Sequence, residues 1–248
     1  MGKNLIEFAK NILQKGGLVI FPTETVYGIG GNANNSKAVK LIFDKKKRPK
    51  NNPIICHFAS IKKVHEHFFL NDTDIKLAKN FWPGPLTLIL KKKPKSKITS
   101  LVSNRSLWVG CRIPNNKIAL KLLNSIDFPI AAPSANINTK TSVTVIDDLD
   151  PSLKKNIFTL NNGSSKLGLE STVIKTSKKD IKILRLGSLT EETIKNKIKN
   201  YKIKIVKKTR LSPGNQHKHY SPKKTLRMNV KNIKLGEGLL NFGKNNLK

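Results

Sequence analysis

The stretch 18-LVIFPTETVYGIGGNA-33 places an apolar run directly before a cluster of polar side chains and three glycines. Residues 18–21 are apolar, which predicts a short buried strand. Thr23, Glu24 and Thr25 follow that strand with two hydroxyls and a carboxylate. Because open α/β sheets bind ligands outside the carboxyl ends of their strands, the stretch predicts a turn, a dinucleotide-binding loop or a pocket for a small polar molecule.

A dinucleotide-binding loop agrees with only part of the sequence. Gly28, Gly30 and Ala33 have the spacing of a G-x-G-x-x-A fingerprint. That fingerprint needs an acid near the end of the next strand to bind the ribose, and the corresponding segment, 56-CHFAS-60, has none. The chain also lacks the G-x-x-x-x-G-K-[ST] pattern of a P-loop. The sequence therefore favours a turn or a pocket.

Helical and strand patterns alternate along the chain. Gly16 and Gly17 end the first amphipathic helix, and Ser36 and Thr190 are predicted to cap two later helices. The predicted helices are residues 5–13, 36–43, 74–80, 117–123 and 191–200, and the predicted strands are residues 18–21, 53–58, 86–90, 107–112, 129–132, 157–160, 171–175 and 181–184. This order predicts an α/β fold with an open, twisted, mixed sheet.

The composition is strongly basic, with 48 Lys and Arg against 15 Asp and Glu and a formal net charge of +33. Such a charge suits a polyanionic partner, namely RNA, DNA or a nucleoside triphosphate. Lysine pairs and triplets are spread along the whole chain, however, which favours a generally lysine-rich surface. The chain has two cysteines, no secretory signal and no apolar run of about 18 residues. We expect a cytoplasmic protein without a membrane contact.

Two polar segments are candidates for a phosphate site. In 45-KKKRPKNNP-53, Lys46 and Arg48 are two residues apart, so an extended segment points both to one side. The following proline favours that extended conformation. In 131-AAPSANINT-139, Ser134 and Asn136 share the same spacing at the end of a predicted strand. If the two segments converge at one edge of the sheet, they form a site for phosphate oxygens; the alternative is two solvated loops.

The histidines do not predict a metal site. His65 and His67 lie on a predicted surface segment, and His217 and His219 lie in a polar, turn-rich stretch. Structural zinc requires four ligands, and the two cysteines are far apart in sequence. We therefore predict no protein-bound metal.

Seven blocks, in order, resemble the YrdC-like threonylcarbamoyl-AMP synthases. The blocks are 22-PTETVYGIG-30, 46-KKRPKNNPI-54, 82-WPGPLTLIL-90, 110-GCRIP-114, 131-AAPSAN-136, 168-GLEST-172 and 184-LRLG-187. They include the K-x-R and S-x-N signatures of that family, and the resemblance covers about residues 5–210. It implies a YrdC-like sheet with a concave basic cleft.

The resemblance implies a nucleotidyltransferase that makes L-threonylcarbamoyladenylate and pyrophosphate from L-threonine, bicarbonate and ATP. Partner proteins, the threonylcarbamoyl transferases, would then modify the adenosine next to the anticodon of certain tRNAs. ATP would bring Mg²⁺ as its counterion. The fold is also associated with binding double-stranded RNA, so an RNA-binding module without catalysis is the alternative. Carbamoyl transfer from carbamoyl phosphate is a second one, but the chain lacks the zinc-finger and acylphosphatase-like segments of those proteins.

The resemblance also implies the roles of individual residues. Lys46 and Arg48 are the predicted catalytic residues. The predicted threonine-binding residues are Thr25, His57, Arg112, Ser134 and Ser171. The predicted ATP-binding residues are Lys46, Arg48, Asn52, Ser134, Asn136, Thr144, Arg185 and His219. Residue types agree with these roles, since an arginine at a strand end suits a carboxylate.

The last part of the chain resembles the linker of longer, two-domain members of the family. We predict a catalytic domain at residues 1–208, a linker at 209–224 and a short remnant of a second domain at 225–248. The linker contains 212-SPGNQHKHYSP-222, in which His219 and Tyr220 could close over the nucleotide as a lid. An exposed loop is the alternative for that segment.

Overall fold

A computed structural model describes residues 3–137, 140–178, 180–206, 209, 211–212, 225–228, 230 and 232–240. The helices are α1 (Lys3–Gln14), α2 (Ser36–Lys46), α3 (Ile61–His67), α4 (Asp72–Phe81), α5 (Lys117–Asn124), α6 (Pro151–Asn156) and α7 (Glu191–Lys197). The strands are β1 (Val19–Phe21), β2 (Gly28–Asn32), β3 (Cys56–His57), β4 (Phe68–Phe69), β5 (Leu86–Lys92), β6 (Trp108–Arg112), β7 (Ile130–Ala131), β8 (Phe158–Thr159), β9 (Thr172–Ser177), β10 (Asp180–Arg185) and β11 (Lys202–Ile205).

The strands form one open sheet in the order β11-β10-β9-β5-β6-β3-β7-β2-β1-β8, and β4 pairs with β5 outside this path. Parallel pairs such as β3 with β6 and β5 with β9 alternate with antiparallel pairs such as β5 with β6 and β3 with β7. The prediction of an open, mixed α/β sheet is therefore confirmed. Elements absent from the sequence prediction are α3, α6, β2, β4 and β11.

Local sequence signals account for several helix ends. Gly16, with φ +81, lies just after α1, as predicted. The Thr190 side chain accepts from the backbone N–H of Thr193 and caps α7, also as predicted. The predicted cap of α2 was one residue off, because Asn35 accepts from two backbone N–H groups there and Ser36 is already helical. That helix also runs three residues further than predicted, to Lys46.

The glycines of the opening stretch belong to a strand. Gly28, Gly30 and Gly31 have no positive φ and lie in β2, which pairs with β1 and β7. A Cβ on Gly30 would lie 2.4 Å from the Ile130 side chain and 2.8 Å from Phe21. Gly30 and Gly31 therefore let neighbouring side chains pack closely against β2.

The two faces of the sheet differ. One face packs Cys56, Cys111 and Ala131 against apolar side chains of α2, α3, α4, α6 and α7. On the opposite face, α1 and α5 cover the half that includes β1 and β7. A small cluster of Ile89, Val173 and Leu184, with Leu211 packed on it, covers part of the other half.

Between these two apolar clusters, the second face carries a polar strip, which consists of His57, Thr87, Gly110 and Arg112. Their positions alternate along β3, β5 and β6 with residues buried on the first face. A Cβ on Gly110 would lie 3.3 Å from the Thr87 side chain. The glycine therefore leaves the middle of the strip without a side chain above the sheet. The fold thus places polar side chains at the centre of a sheet face.

In the described part of the chain, no helix is long and apolar enough to cross a membrane. After β11, the Val206 N–H donates to the Ile183 carbonyl, and Leu211 packs against the small apolar cluster. The domain boundaries at residues 208 and 224 stay predictions.

Candidate active site

Hydrogen bonds fix the loop after β1. The Thr23 hydroxyl donates to the Val26 carbonyl at 2.6 Å and accepts from the backbone N–H groups of Thr25 and Val26 at 3.2 Å. It also lies 2.9 Å from the Thr25 hydroxyl. Both threonines are buried. Thr23 therefore holds the loop in one conformation and orients Thr25, the predicted threonine-binding residue.

Arg112, at the end of β6, reaches the same loop. Its Nη1 donates to the Thr25 hydroxyl at 2.9 Å, and its Nε donates to the Gly84 carbonyl at 3.3 Å. Its Nη2 lies 2.8 Å from Glu24 Oε2. The two charged side chains are 5% and 6% exposed, so the ion pair is buried. The sequence prediction did not include Glu24, although the residue stands in the opening stretch.

The Glu24–Arg112 ion pair is close but poorly aligned. The atoms meet the distance for an ion pair, yet neither Glu24 oxygen has a hydrogen-bond partner among the described residues, and the same holds for Arg112 Nη2. We read the contact as a charge pair without a directional hydrogen bond. It leaves hydrogen-bonding capacity on two buried side chains.

His57 lies beside Arg112, because β3 and β6 pair in parallel with these residues in register. Burial, and then the positive charge of Arg112, lower the pKa of His57 to about 3. The imidazole is therefore neutral near pH 7, with one N–H donor and one acceptor nitrogen. Glu24, Thr25, His57 and Arg112 form a group that we call the Arg112 half of the site.

Lys46 is buried at the end of α2 and contacts the second polar segment. Its ammonium donates to the Ser134 carbonyl at 2.6 Å, to the Asn136 carbonyl, and to Asn136 Oδ1 at 3.4 Å. The Ser134 hydroxyl donates to the same Asn136 oxygen at 2.5 Å. An isolated bridge between Gly28 and Ser134 places this segment beside the opening stretch. The two predicted phosphate segments therefore lie in contact.

The backbone at Lys46 and Lys47 is not extended, which corrects the geometry predicted from sequence for this part of the segment. Lys46 is helical, and Lys47 has the left-handed conformation with φ 50 and ψ 39. This turn brings Arg48 back toward the protein, where it donates to the carbonyls of Asn52 at 3.2 Å and Pro53 at 2.7 Å. Lys47 is exposed. Lys46 and Arg48 therefore lie together and Lys47 lies apart from them, as predicted. The cause is the left-handed turn at Lys47 and not an extended segment.

Arg185 lies at the end of β10 and contacts Ser171. Its Nη2 donates to the Ser171 carbonyl at 2.8 Å and to the hydroxyl at 3.2 Å. The Ser171 hydroxyl is 2.7 Å from that of Thr87 on the polar strip. Ser171 therefore connects Arg185 to the strip, on which Arg112 also lies.

The cations of the site act on one another electrostatically. Burial and the neighbouring charge of Arg48 lower the pKa of Lys46 to about 7, while Glu170 opposes that shift. Burial, and then Arg185, lower the pKa of Arg48 to about 10. Burial and Arg112 lower the pKa of Arg185 to about 10, again opposed by Glu170. Lys46, Arg48, Glu170 and Arg185 form the Lys46 half of the site.

The loop between β8 and β9 contacts both halves of the site. The N–H groups of Leu167 and Gly168 donate to the carbonyls of Glu24 and Thr25 at 2.9 and 3.0 Å. Ser142 donates to Glu170, a buried carboxylate that the sequence prediction did not include. The Thr144 carbonyl accepts from Ser165, and the Thr144 methyl lies near the position of a Cβ on Gly168.

The structure describes all predicted site residues except His219, which lies outside the described residues together with His217 and Tyr220. Asn52 is buried next to Arg48, to which its backbone carbonyl is bonded. The lid prediction for this part of the linker also falls outside the described residues.

An open mixed sheet with helices on both faces defines an α/β protein, and its candidate site contains the buried cations Lys46 and Arg112. A family model named for Sua5, YciO and YrdC, and described as telomere recombination, matches residues 11–187. The chain belongs to this family.

Curated relatives share most of this chain. It is 40% identical over 229 residues to threonylcarbamoyl-AMP synthase of Pyrococcus abyssi, and 37% identical over 220 residues to the Bacillus subtilis protein of the same name. These alignments cover 88% and 86% of this chain, but 65% and 63% of the relatives. The chain therefore spans slightly less than two thirds of their length.

Two solved structures have folds similar to that of this chain. The crystal structure of P. abyssi Sua5 complexed with L-threonine has a TM-score of 0.80 and 38% identity, and the match covers 88% of this chain and 65% of that one. E. coli YciO has a TM-score of 0.67 at 22% identity and shows the same fold, with 75% of this chain and 90% of that chain covered.

Proposed function

We propose that this chain is a nucleotidyltransferase that makes L-threonylcarbamoyladenylate and pyrophosphate from L-threonine, bicarbonate and ATP. Family membership and relatives named threonylcarbamoyl-AMP synthase support this activity. The complex of a related structure with L-threonine supports the amino acid as a substrate. The product would serve the modification of adenosine next to the tRNA anticodon, with threonylcarbamoyl transferases as partners in the cytoplasm.

The observation that carries the proposal is that two kinds of site adjoin each other, because Arg185, close to Arg48, contacts Ser171 beside the polar strip that holds Arg112. Arg112 and Thr25 offer a fork of donors and a hydroxyl, which suit an amino acid carboxylate. After burial, the charge of Arg48 lowers the pKa of Lys46 and the charge of Arg185 lowers the pKa of Arg48, so these cations concentrate positive charge. A triphosphate carries the negative charge that relieves this repulsion.

In the Arg112 half, we assign the carboxylate of L-threonine to Arg112. The neutral His57, Thr25 and the Ser171 hydroxyl are the remaining short polar contacts. The substrate amine must be deprotonated before it attacks bicarbonate. Because His57 stays neutral near pH 7, it does not add a positive charge next to the substrate ammonium.

In the Lys46 half, we assign the triphosphate to Lys46, Arg48 and Arg185. The carbamate oxygen attacks the α-phosphorus, the bond to the α–β bridging oxygen breaks and pyrophosphate leaves, while these cations stabilise the charge that develops there. The other residues proposed to contact the nucleotide are Asn52, Ser134, Asn136, Thr144 and His219. Positioning and charge stabilisation, rather than acid–base catalysis, would provide most of the rate enhancement.

Magnesium enters this scheme as part of MgATP. The described residues include no group of three or more His, Cys, Asp or Glu side chains that could hold a metal ion. The oxygens that coordinate magnesium would therefore come mainly from the phosphates and water, as is common for this ion. Mg²⁺ would offset part of the phosphate charge, and the protein cations the rest.

Omission of single substrates tests the function. Purified protein with L-threonine, bicarbonate and MgATP should release pyrophosphate and form an adenylate with the mass of L-threonylcarbamoyl-AMP. Each of the three omissions should abolish both signals. Pyrophosphate release that is equal without L-threonine would contradict the proposal. Salt-sensitive binding of double-stranded RNA without any adenylate would instead favour the RNA-binding alternative.

A further inference from the structure

We infer that Glu24 binds the α-ammonium of the amino acid substrate and makes the site selective for a zwitterion. The inference rests on the proposed function and extends it to a residue that has no role so far. Glu24 lies in the opening stretch, one residue before Thr25 and in contact with Arg112. Its carboxylate is buried in the Arg112 half of the site.

Positive charge surrounds the place where a substrate amino acid would lie. The substrate brings a positive ammonium together with its carboxylate. After burial, the charge of Arg112 lowers the pKa of Arg185, and the charge of Arg185 lowers the pKa of Arg48. An ammonium among these cations would be repelled unless a carboxylate stood beside it. Within the described residues of the Arg112 half, Glu24 is the acidic side chain.

The carboxylate oxygens of Glu24 have unused hydrogen-bonding capacity. A carboxylate has about four acceptor positions, and a buried one normally uses them. Both Glu24 oxygens are buried without a hydrogen-bond partner among the described residues, although Oε2 lies 2.8 Å from Arg112 Nη2. An ammonium is a strong donor with three N–H bonds. Its arrival would satisfy oxygens that Arg112 leaves unsatisfied.

The charges of Glu24 and Arg112 balance those of a zwitterion. Glu24 and Arg112 together are neutral, and a zwitterion is neutral as well. When the substrate carboxylate faces Arg112 and its ammonium faces Glu24, the four charges alternate in sign. The Glu24–Arg112 pair then has no uncompensated charge before or after binding, which avoids the large cost of an unpaired buried ion. A pocket with Arg112 alone would instead favour a simple carboxylate anion.

An opposite role for Glu24 is also testable. If Glu24 only neutralises Arg112, it competes with the substrate carboxylate, and its removal should strengthen binding of any carboxylate. If Glu24 binds the ammonium, its removal should weaken binding of amino acids alone. The two roles therefore predict changes of opposite sign in the affinity for L-threonine when Glu24 is removed.

The test uses Glu24→Gln, which keeps the shape of the side chain and removes its charge. Calorimetry or ligand-observed NMR at pH 7.5 compares L-threonine with 3-hydroxybutanoate, which lacks the ammonium. The wild-type protein should bind L-threonine more tightly than 3-hydroxybutanoate. Glu24→Gln should lower the affinity for L-threonine roughly 10-fold or more, since a hydrogen bond to a charged group is lost. Binding of 3-hydroxybutanoate should be unchanged or tighter.

Two further variants keep the test decisive. Glu66→Gln changes an exposed glutamate paired with Lys63, and it should leave both affinities unchanged. Glu24→Asp keeps the charge that Arg112 needs for folding, and it should weaken L-threonine less than Glu24→Gln does. Thermal unfolding of each variant verifies that it is folded at the temperature of the titration.

The outcomes separate this inference from the proposed function. If wild-type protein binds neither ligand, the proposed function fails and the inference fails with it. If wild-type protein binds L-threonine but Glu24→Gln binds it equally well or better, only the ammonium contact is overturned. Equal losses for both ligands in folded Glu24→Gln would also overturn it, because Glu24 would then act only through Arg112.

Discussion

The two halves of the site handle buried positive charge differently. In the Arg112 half, a carboxylate side chain lies 2.8 Å from the guanidinium, so the protein supplies its own counterion. In the Lys46 half, backbone carbonyls accept the hydrogen bonds of the cations, with Ser134 and Asn136 bonded to Lys46. Of the three cations there, Lys46 and Arg185 have the carboxylate of Glu170 nearby.

This difference matches the charges of the two proposed substrates. Carbonyl oxygens orient a cation but do not neutralise it, so the Lys46 half keeps a net positive charge for a triphosphate. The carboxylate of Glu24 makes the Arg112 half neutral, which suits a zwitterion. The distribution of counterions thus assigns a ligand type to each half of one continuous site.

The largest expected effect is on folding and comes from the Arg112 half. Arg112→Met leaves the Glu24 carboxylate buried without its partner, which should lower the free energy of unfolding by about 3–5 kcal/mol. The double variant with Glu24→Gln should lose clearly less than the sum of the two single variants. Urea unfolding of the four proteins in this cycle measures the coupling. Additive losses would mean that the pair is not electrostatically coupled.

The next effect is on catalysis and concerns the Lys46 half. Arg48→Ala should lower the rate of adenylate formation about 100-fold or more, since it removes a charge proposed to face the phosphates. Lys47→Ala is the matched control, because Lys47 is the exposed neighbour at the left-handed turn. Steady-state pyrophosphate release measures both. Similar losses in the two variants would indicate a diffuse basic loop rather than a defined phosphate contact.

A smaller effect concerns the pH dependence of stability in the ligand-free protein. Folding lowers the pKa of Lys46 from 10.5 to about 7, so the unfolded chain binds one more proton between these values. The contribution of Lys46 to the free energy of unfolding therefore rises with pH in this window, by at most about 1.4 kcal/mol per pH unit. Lys46→Met should lose this slope.

Urea unfolding of wild-type and Lys46→Met protein at pH 7.0 and 8.5 tests that prediction. The wild-type protein should gain stability relative to the variant at the higher pH. A difference that does not change with pH would show that Lys46 stays charged in the fold, held so by the Ser134 and Asn136 oxygens.

The sequence predicted those parts of the fold that have strong local signals. Gly16 and Thr190 act at helix ends through their own backbone freedom or hydroxyl, so the prediction needed no tertiary information. The prediction placed Gly30 in a turn or a pocket, whereas the structure places it in strand β2. A glycine is needed there because of the Ile130 side chain, which is about 100 residues away in sequence. Strand β2 was missed for the same reason.

In the site, too, local sequence predicted some features, and others depend on the fold. Lys46 and Arg48 were placed together for the wrong reason, since only the structure reveals the left-handed Lys47. Glu24 was quoted but given no role, because a carboxylate in a list of polar residues does not show which cation it faces. Its contact with Arg112 depends on the pairing of distant strands and could not be read from local sequence.

A crystal structure with L-threonine and a non-hydrolysable ATP analogue tests the division of the site most directly. The account predicts the substrate carboxylate at Arg112, its ammonium within about 2.7–3.2 Å of Glu24, and the phosphates at Lys46 and Arg48. Amino acid bound with its ammonium away from Glu24, or phosphates at Arg112, would contradict the account.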